Sequence, residues 1–208
     1  MYYLLSAIIG YLLGSIPTGY LMLKREGINI ITSGSGNVGA MNTFDITNSK
    51  VKGLLVFFID AIKGLFSVYI PILLFPFGFG YSATALLFAI LSHCYNPWIK
   101  FKGGRGLATS LGGTLLIAPF IPALWLSTWI LVYVIKRDIL LGNILATILA
   151  ILIILTFPDS LYKYSFPKAE SISSLIFFST TLLIIIFIKH IDPLRELLTK
   201  INITNIKG

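Results

Sequence analysis

Residues 107–135 read LATSLGGTLLIAPFIPALWLSTWILVYVI. This apolar run is too long for one ordinary bilayer crossing, because about 20 helical residues cover the hydrocarbon core. Pro119 and Pro122 lie near its middle. Proline has no N–H to donate and its ring clashes with the preceding turn, so a turn between two shorter helices fits there. A single long, kinked helix is the alternative. The two readings give seven or six spans and put the C-terminus on opposite sides of a membrane.

The rest of the chain chooses between them. Of 208 residues 56% are hydrophobic and only 12% charged, against about 25% charged in soluble domains. Mean hydropathy is +0.90. We therefore expect an all-α integral membrane protein, with 1–208 forming a single polytopic domain. Apolar windows predict helices near 2–23, 53–75, 81–99, 107–118, 120–135, 139–157 and 173–189. The first window has no basic n-region and is read as a retained span, with a cleaved signal peptide as the alternative.

With seven spans and the N-terminus outside, the inner loops collect Lys24, Arg25, Lys50, Lys52, Lys100, Lys102, Arg105, Lys136, Arg137, Lys189, Arg195, Lys200 and Lys207. Outer loops receive only Lys163 and Lys168, and Lys63 falls within a span. Six spans would split the last three basic clusters across the membrane, so the positive-inside rule selects seven and a cytoplasmic C-terminus. The net charge of +8 is then topology and headgroup attraction, with no nucleic-acid partner implied.

Two polar segments share the inner side. Lys100–Thr109, KFKGGRGLAT, puts cations among glycines just where a helix should start near Gly106. Exposed backbone N–H groups, the helix dipole and Arg105 together suit a phosphate. A flexible basic turn is the plainer reading. Loop 24–52 carries ITSGSGNVGAMNT, whose hydroxyls and amides can line a polar pocket or simply form a solvated linker. Asp60 and Lys63 lie three residues apart within a span and share a face, as an ion pair or as part of a site. Ser15 and Pro17 in GSIPTGY can break the first helix. His93 and His190 are candidate bases, although a lone histidine near an interface is more often structural.

Several chemistries are absent. There is no GxSxG elbow, no GxxxxGK[ST] and no HExxH. One cysteine, Cys94, and two histidines make no usual zinc site, so neither a metal nor a cofactor is expected. Trp98 and Arg195 occupy the fifth position after His93 and His190, which excludes an HxxxxD dyad at both. What remains is a site of cations, backbone amides and hydroxyls, suited to phosphorylated compounds that carry a good leaving group.

GSIPTGYL, SGSGNVGAMNT, DAIKG and H-CYNPWIKFKGGRGLAT occur in an order and spacing that resembles the bacterial acyl-phosphate:glycerol-3-phosphate acyltransferases. The likeness covers nearly the whole chain. It implies a seven-span enzyme of phospholipid synthesis in the bacterial cytoplasmic membrane, with its active site facing the cytoplasm. The implied reaction moves a fatty acyl group from acyl phosphate to the 1-hydroxyl of glycerol 3-phosphate, giving 1-acylglycerol 3-phosphate and phosphate. Ser35, Gly36, Asn37, Gly39 and Asn42 would then belong to a substrate-binding loop, and Lys63 would bind substrate with them. Lys102, Gly103, Gly104 and Gly106 would bind phosphate with Arg105, and His93, Arg105 and His190 would be catalytic. Direct transfer from an activated donor needs no covalent enzyme intermediate.

The chain also departs from that pattern. Asp45 replaces an arginine, Arg105 a lysine, Pro193 an asparagine and Glu196 an arginine; Leu140 and Asn143 stand where serines are expected. A carboxylate in place of a phosphate-binding cation reverses an interaction of several kcal/mol at about 4 Å and an effective dielectric of ~20. A different acceptor, or a non-catalytic lipid-binding or transport protein, is therefore the competing expectation. Acyl-chain preference and oligomeric state are not legible in the sequence.

Overall fold

The structure, a computed structural model, describes residues 1–195, so Glu196, Lys200 and Lys207 fall outside it. Every regular element among the described residues is helical. The apolar stretches form α1 (Tyr2–Gly14), α2 (Thr18–Lys24), α4 (Lys50–Leu74), α5 (Phe79–Cys94), α6 (Leu107–Ile117), α7 (Phe120–Lys136), α8 (Ile139–Thr156) and α10 (Ile172–Ile188). Two short helices lie in the connections, α3 (Ala40–Thr47) and α9 (Pro158–Tyr162). Three stretches, Tyr2–Lys24, Lys50–Leu74 and Ile139–Thr156, are long and apolar enough to cross a membrane. Leu107–Ile117, Phe120–Lys136 and Ile172–Ile188 are shorter apolar helices.

The run 107–135 is two helices. α6 stops at Ile117 and α7 starts at Phe120, with Pro119 between them. The Ile117 carbonyl, left over by the break, accepts from Phe166 N–H at 3.0 Å, so the 157–171 connection covers this turn. The predicted 81–99 helix is shorter than expected. It ends at Cys94, because a residue before proline is driven from helical geometry and Asn96 precedes Pro97.

Helix pairs approach closely where side chains are absent. α4 and α6 are matched reciprocally: a Cβ on Gly64 would overlap the Thr109 carbonyl oxygen, and one on Gly112 would overlap that of Ala61. Small residues of this kind let backbones meet without a hydrophobic driving force from water. The packing between α4 and α6 holds the start of α6, and hence Arg105, against the polar end of the bundle. Gly64→Val should therefore cost about 1–3 kcal/mol or more through overpacking. Unfolding in detergent measures this, and a variant that melts like the parent would show that α4 and α6 are free to separate.

Candidate active site

Pro17 offers no N–H to the Leu13 carbonyl, and the first helix opens between Gly14 and Thr18. The exposed backbone is satisfied from two directions, and the Ser15 hydroxyl from a third. Lys63 Nζ donates to the Ile16 carbonyl at 2.9 Å, and Asn96 Nδ2 donates to the Ser15 carbonyl at 2.7 Å. Trp98 Nε1 donates to Ser15 Oγ at 3.0 Å. The Lys63 ammonium also pairs with Asp60 at 2.8 Å, and Thr18 Oγ1 donates to the same carboxylate oxygen at 2.9 Å. Lys63 is 4% exposed and Asp60 2%. His93 Nδ1 stands 4.0 Å from that oxygen.

The Gly-rich stretch packs on the end of α5. Gly104 N–H donates to the His93 carbonyl at 3.1 Å, and a Cβ on Gly104 would overlap the His93 ring at Nε2. A Cβ on Gly103 would overlap the carbonyl oxygens of His93 and Cys94. Gly106 has φ +84° and caps α6, a left-handed geometry that favours glycine. These glycines seat the loop under the α6 N-terminus.

Beside them, Asn42 folds the serine-rich loop. Its Oδ1 accepts from Ser35 N–H at 2.8 Å, and its Nδ2 donates to the carbonyls of Asn37 at 2.7 Å and Ser33 at 3.2 Å. Asn37 Oδ1 accepts from Gly39 N–H at 2.8 Å, where α3 begins.

One cavity of about 750 Å³ joins the two polar segments. Its polar end is lined by Ser35, Asn37, Asn42, Asp45, His93 and Arg105, with Asp60 and Asn143 beside them. Gly39, Ala40 and Met41 at the start of α3, and Gly106, Leu107 and Ala108 at the start of α6, line the same space. Two helix N-termini and a guanidinium therefore face it, a combination that favours anions. The cavity continues past Leu111 and Thr114 to Ile121, Trp125 and Leu182. Gly106 to Thr114 alone spans about 12 Å at the helical rise.

The structure redistributes the expected site residues. Ser35, Asn37, Gly39, Asn42, His93, Arg105 and Gly106 line the cavity; Gly36, Lys63, Lys102, Gly103, Gly104 and His190 do not. Lys102, expected to bind phosphate, is exposed, because the turn through Lys100 and Phe101 (both φ +57°) carries it outward. Lys63 serves the helix break. His190, expected to be catalytic, lies behind the wall, 1% exposed: its Nδ1 is 2.8 Å from the Ile186 carbonyl oxygen and its Nε2 3.3 Å from Asn143 Nδ2. Just beyond the end of α10, its pKa is pushed down to about 4. Burial is the main cause, the Ile186 hydrogen bond opposes it, and Arg105 adds to it. The ring is neutral near pH 7. Asn143 was not expected on the wall, and Asp60 was expected either as an ion pair or as part of a site. The helical spacing of Asp60 and Lys63 signalled a pair, but nothing in the sequence showed which partner would face the cavity.

A helical membrane protein whose cavity has polar groups and two helix N-termini at one end and apolar side chains beyond them has the form suited to amphiphilic ligands. The glycerol-3-phosphate acyltransferase family model matches residues 4–200, and the chain belongs to that family. It is 33% identical to the glycerol-3-phosphate acyltransferase of Helicobacter pylori strain J99, over 92% of this chain and 90% of that one. It is also 33% identical to that of Aquifex aeolicus strain VF5, over 94% and 95%. The crystal structure of PlsY (YgiH), an integral membrane glycerol 3-phosphate acyltransferase, in its glycerol 3-phosphate form superposes with a TM-score of 0.78 at 30% identity, covering 96% of this chain and 94% of that one. Its lysophosphatidic acid form gives 0.77, covering 96% and 93%.

Lys63→Met would leave the Asp60 carboxylate buried without its countercharge and the helix break without its donor. Removing one partner of such a pair costs about 3–5 kcal/mol. The double variant Asp60→Asn, Lys63→Met should recover part of that loss in detergent unfolding. A single variant as stable as the parent would show that the pair holds nothing together.

Proposed function

We propose that this protein acylates the 1-hydroxyl of glycerol 3-phosphate with acyl phosphate as donor, releasing 1-acylglycerol 3-phosphate and phosphate. It works as a seven-span protein of the bacterial cytoplasmic membrane, N-terminus outside, with the cavity's polar end toward the cytoplasm. The observation that carries the reading is the shared cavity. The starts of α3 and α6, with Arg105, give anion-binding groups for two phosphorylated substrates, and the apolar arm accepts an acyl chain.

The acceptor's hydroxyl oxygen attacks the acyl carbonyl carbon. The bond from that carbon to the phosphate oxygen breaks, and phosphate departs with the electron pair. The hydroxyl proton passes to His93, with Asp60 near its Nδ1 offsetting the charge, and from there to the released phosphate. Arg105 binds phosphate oxygens with a planar fork, a role that lysine fills only as a point charge. Ser35 and the α3 N-terminus hold the acceptor.

Purified protein in detergent should release phosphate from palmitoyl phosphate only when glycerol 3-phosphate is present. Arg105→Ala should lower kcat/KM by roughly a hundredfold or more, the scale of losing one preorganised electrostatic group. Folded protein that uses an acyl thioester and ignores acyl phosphate would overturn the donor assignment.

Asp45 favours a second reading, since its carboxylate lines the cavity near the acceptor end. An acceptor that is neutral or carries an amine would meet less repulsion there. Asp45→Arg separates the two: a lower KM for glycerol 3-phosphate supports the first reading, and loss of turnover together with preference of the parent for another acceptor supports the second.

A further inference from the structure

The amide of Asn143 is held in one orientation. The Ile186 carbonyl can only accept, so His190 Nδ1, 2.8 Å away, carries the proton and donates to it. In the neutral ring Nε2 then keeps its lone pair, and the 3.3 Å contact with Asn143 must run from the amide Nδ2–H to Nε2. Farther along α8, Thr147 Oγ1 donates to the Asn143 carbonyl at 2.7 Å and accepts from Trp125 Nε1 at 3.0 Å, which fixes this turn against α7. Asn143 is 5% exposed and lines the cavity. With one Nδ2–H given to the histidine, Oδ1 is the acceptor left to this side chain, beside the second Nδ2–H.

An amide oxygen repels phosphate oxygens but accepts from a hydroxyl. It also takes up no proton near neutral pH. It therefore suits a hydroxyl that keeps its proton through the reaction, and not the one that attacks. Resting on the acylation of glycerol 3-phosphate put forward above, we propose that Asn143 is a specificity-determining residue whose Oδ1 accepts a hydrogen bond from the acceptor's 2-hydroxyl, with His190 the positioning residue that fixes the amide. The enzyme would then discriminate by a missing hydroxyl, because an acceptor without it leaves a buried polar atom unpaired.

The test compares glycerol 3-phosphate with 3-hydroxypropyl phosphate, the same molecule without the 2-hydroxyl, as acceptors for palmitoyl phosphate. The parent should prefer glycerol 3-phosphate by about ten- to a hundredfold in kcat/KM, the scale of one unpaired buried group. Asn143→Ala and His190→Phe should both shrink that preference to within about threefold, the change falling mainly on glycerol 3-phosphate. His190→Gln, whose amide can donate to Ile186 and accept from Asn143, should keep most of it, an outcome that a merely space-filling histidine would not give. Where a variant turns over neither acceptor, protection from thermal unfolding by each acceptor reads the same preference. Asn143→Ser carries the comparison if the alanine variant does not fold. An equal preference in the parent and the Asn143 variants, or no preference in the parent, overturns the proposal. A parent that turns over neither acceptor overturns the acylation reading instead.

Discussion

The ammonium of Lys63 fills the gap where the first helix opens, and the polar half of the molecule is arranged around it. An apolar environment leaves a freed carbonyl no water to bind, so a break in a spanning helix persists only where protein supplies donors. Lys63 and Asn96 supply two, from α4 and from the turn after α5. A lysine so placed needs a countercharge, and Asp60 provides it one helical turn away. The carboxylate then gathers Thr18 from α2 and stands near His93. A single desolvated charge thus ties together the first helix, α4 and the histidine on the cavity wall.

This explains why GSIPTGY, DAIKG and the stretch after His93 belong to one site although they are far apart in sequence. The helix break is unstable without the lysine, and the lysine is unstable without the aspartate. Asn96 is committed twice: Nδ2 to Ser15, and Oδ1 to the Trp98 N–H. Its turn therefore holds the Gly-rich loop at a fixed distance from the break. Gly103 and Gly104 complete the arrangement by lying flat on the end of α5, where any side chain would collide. The loop's glycines serve packing as much as ligand approach, and only Gly106 of the group reaches the cavity.

Much of this was legible in the sequence, and the reasons differ by element. Pro119 marked the turn between α6 and α7 because proline's missing N–H acts locally. Pro17 marked the helix break for the same reason. The short helix α3 was hidden in a loop rich in glycine and serine, since its stability comes from Asn42 and packing on α4 and not from propensity. Asn42 itself was expected to bind substrate, yet both ends of its amide hold loop backbone, a tertiary role that composition does not show. Lys102, expected to bind phosphate, lies outside the cavity lining because left-handed residues at Lys100 and Phe101 turn it outward. Charge was visible, but its direction was not.

Besides Arg105, two of the positions at which this chain departs from the pattern it otherwise follows line the cavity. Asp45 introduces a carboxylate, and Asn143 an amide pinned by His190. Against them stand the starts of α3 and α6 and Arg105, which favour anions. A cavity made only of donors would hold any phosphate and read nothing else about it. Acceptor oxygens weaken that grip, but they can recognise the hydroxyls of a polyol. Where such an atom is buried, as in Asn143, it finds a partner in the substrate or remains unpaired at a cost. The same scarcity of water that fixes Lys63 in the helix break surrounds Asn143, whereas Asp45 is exposed.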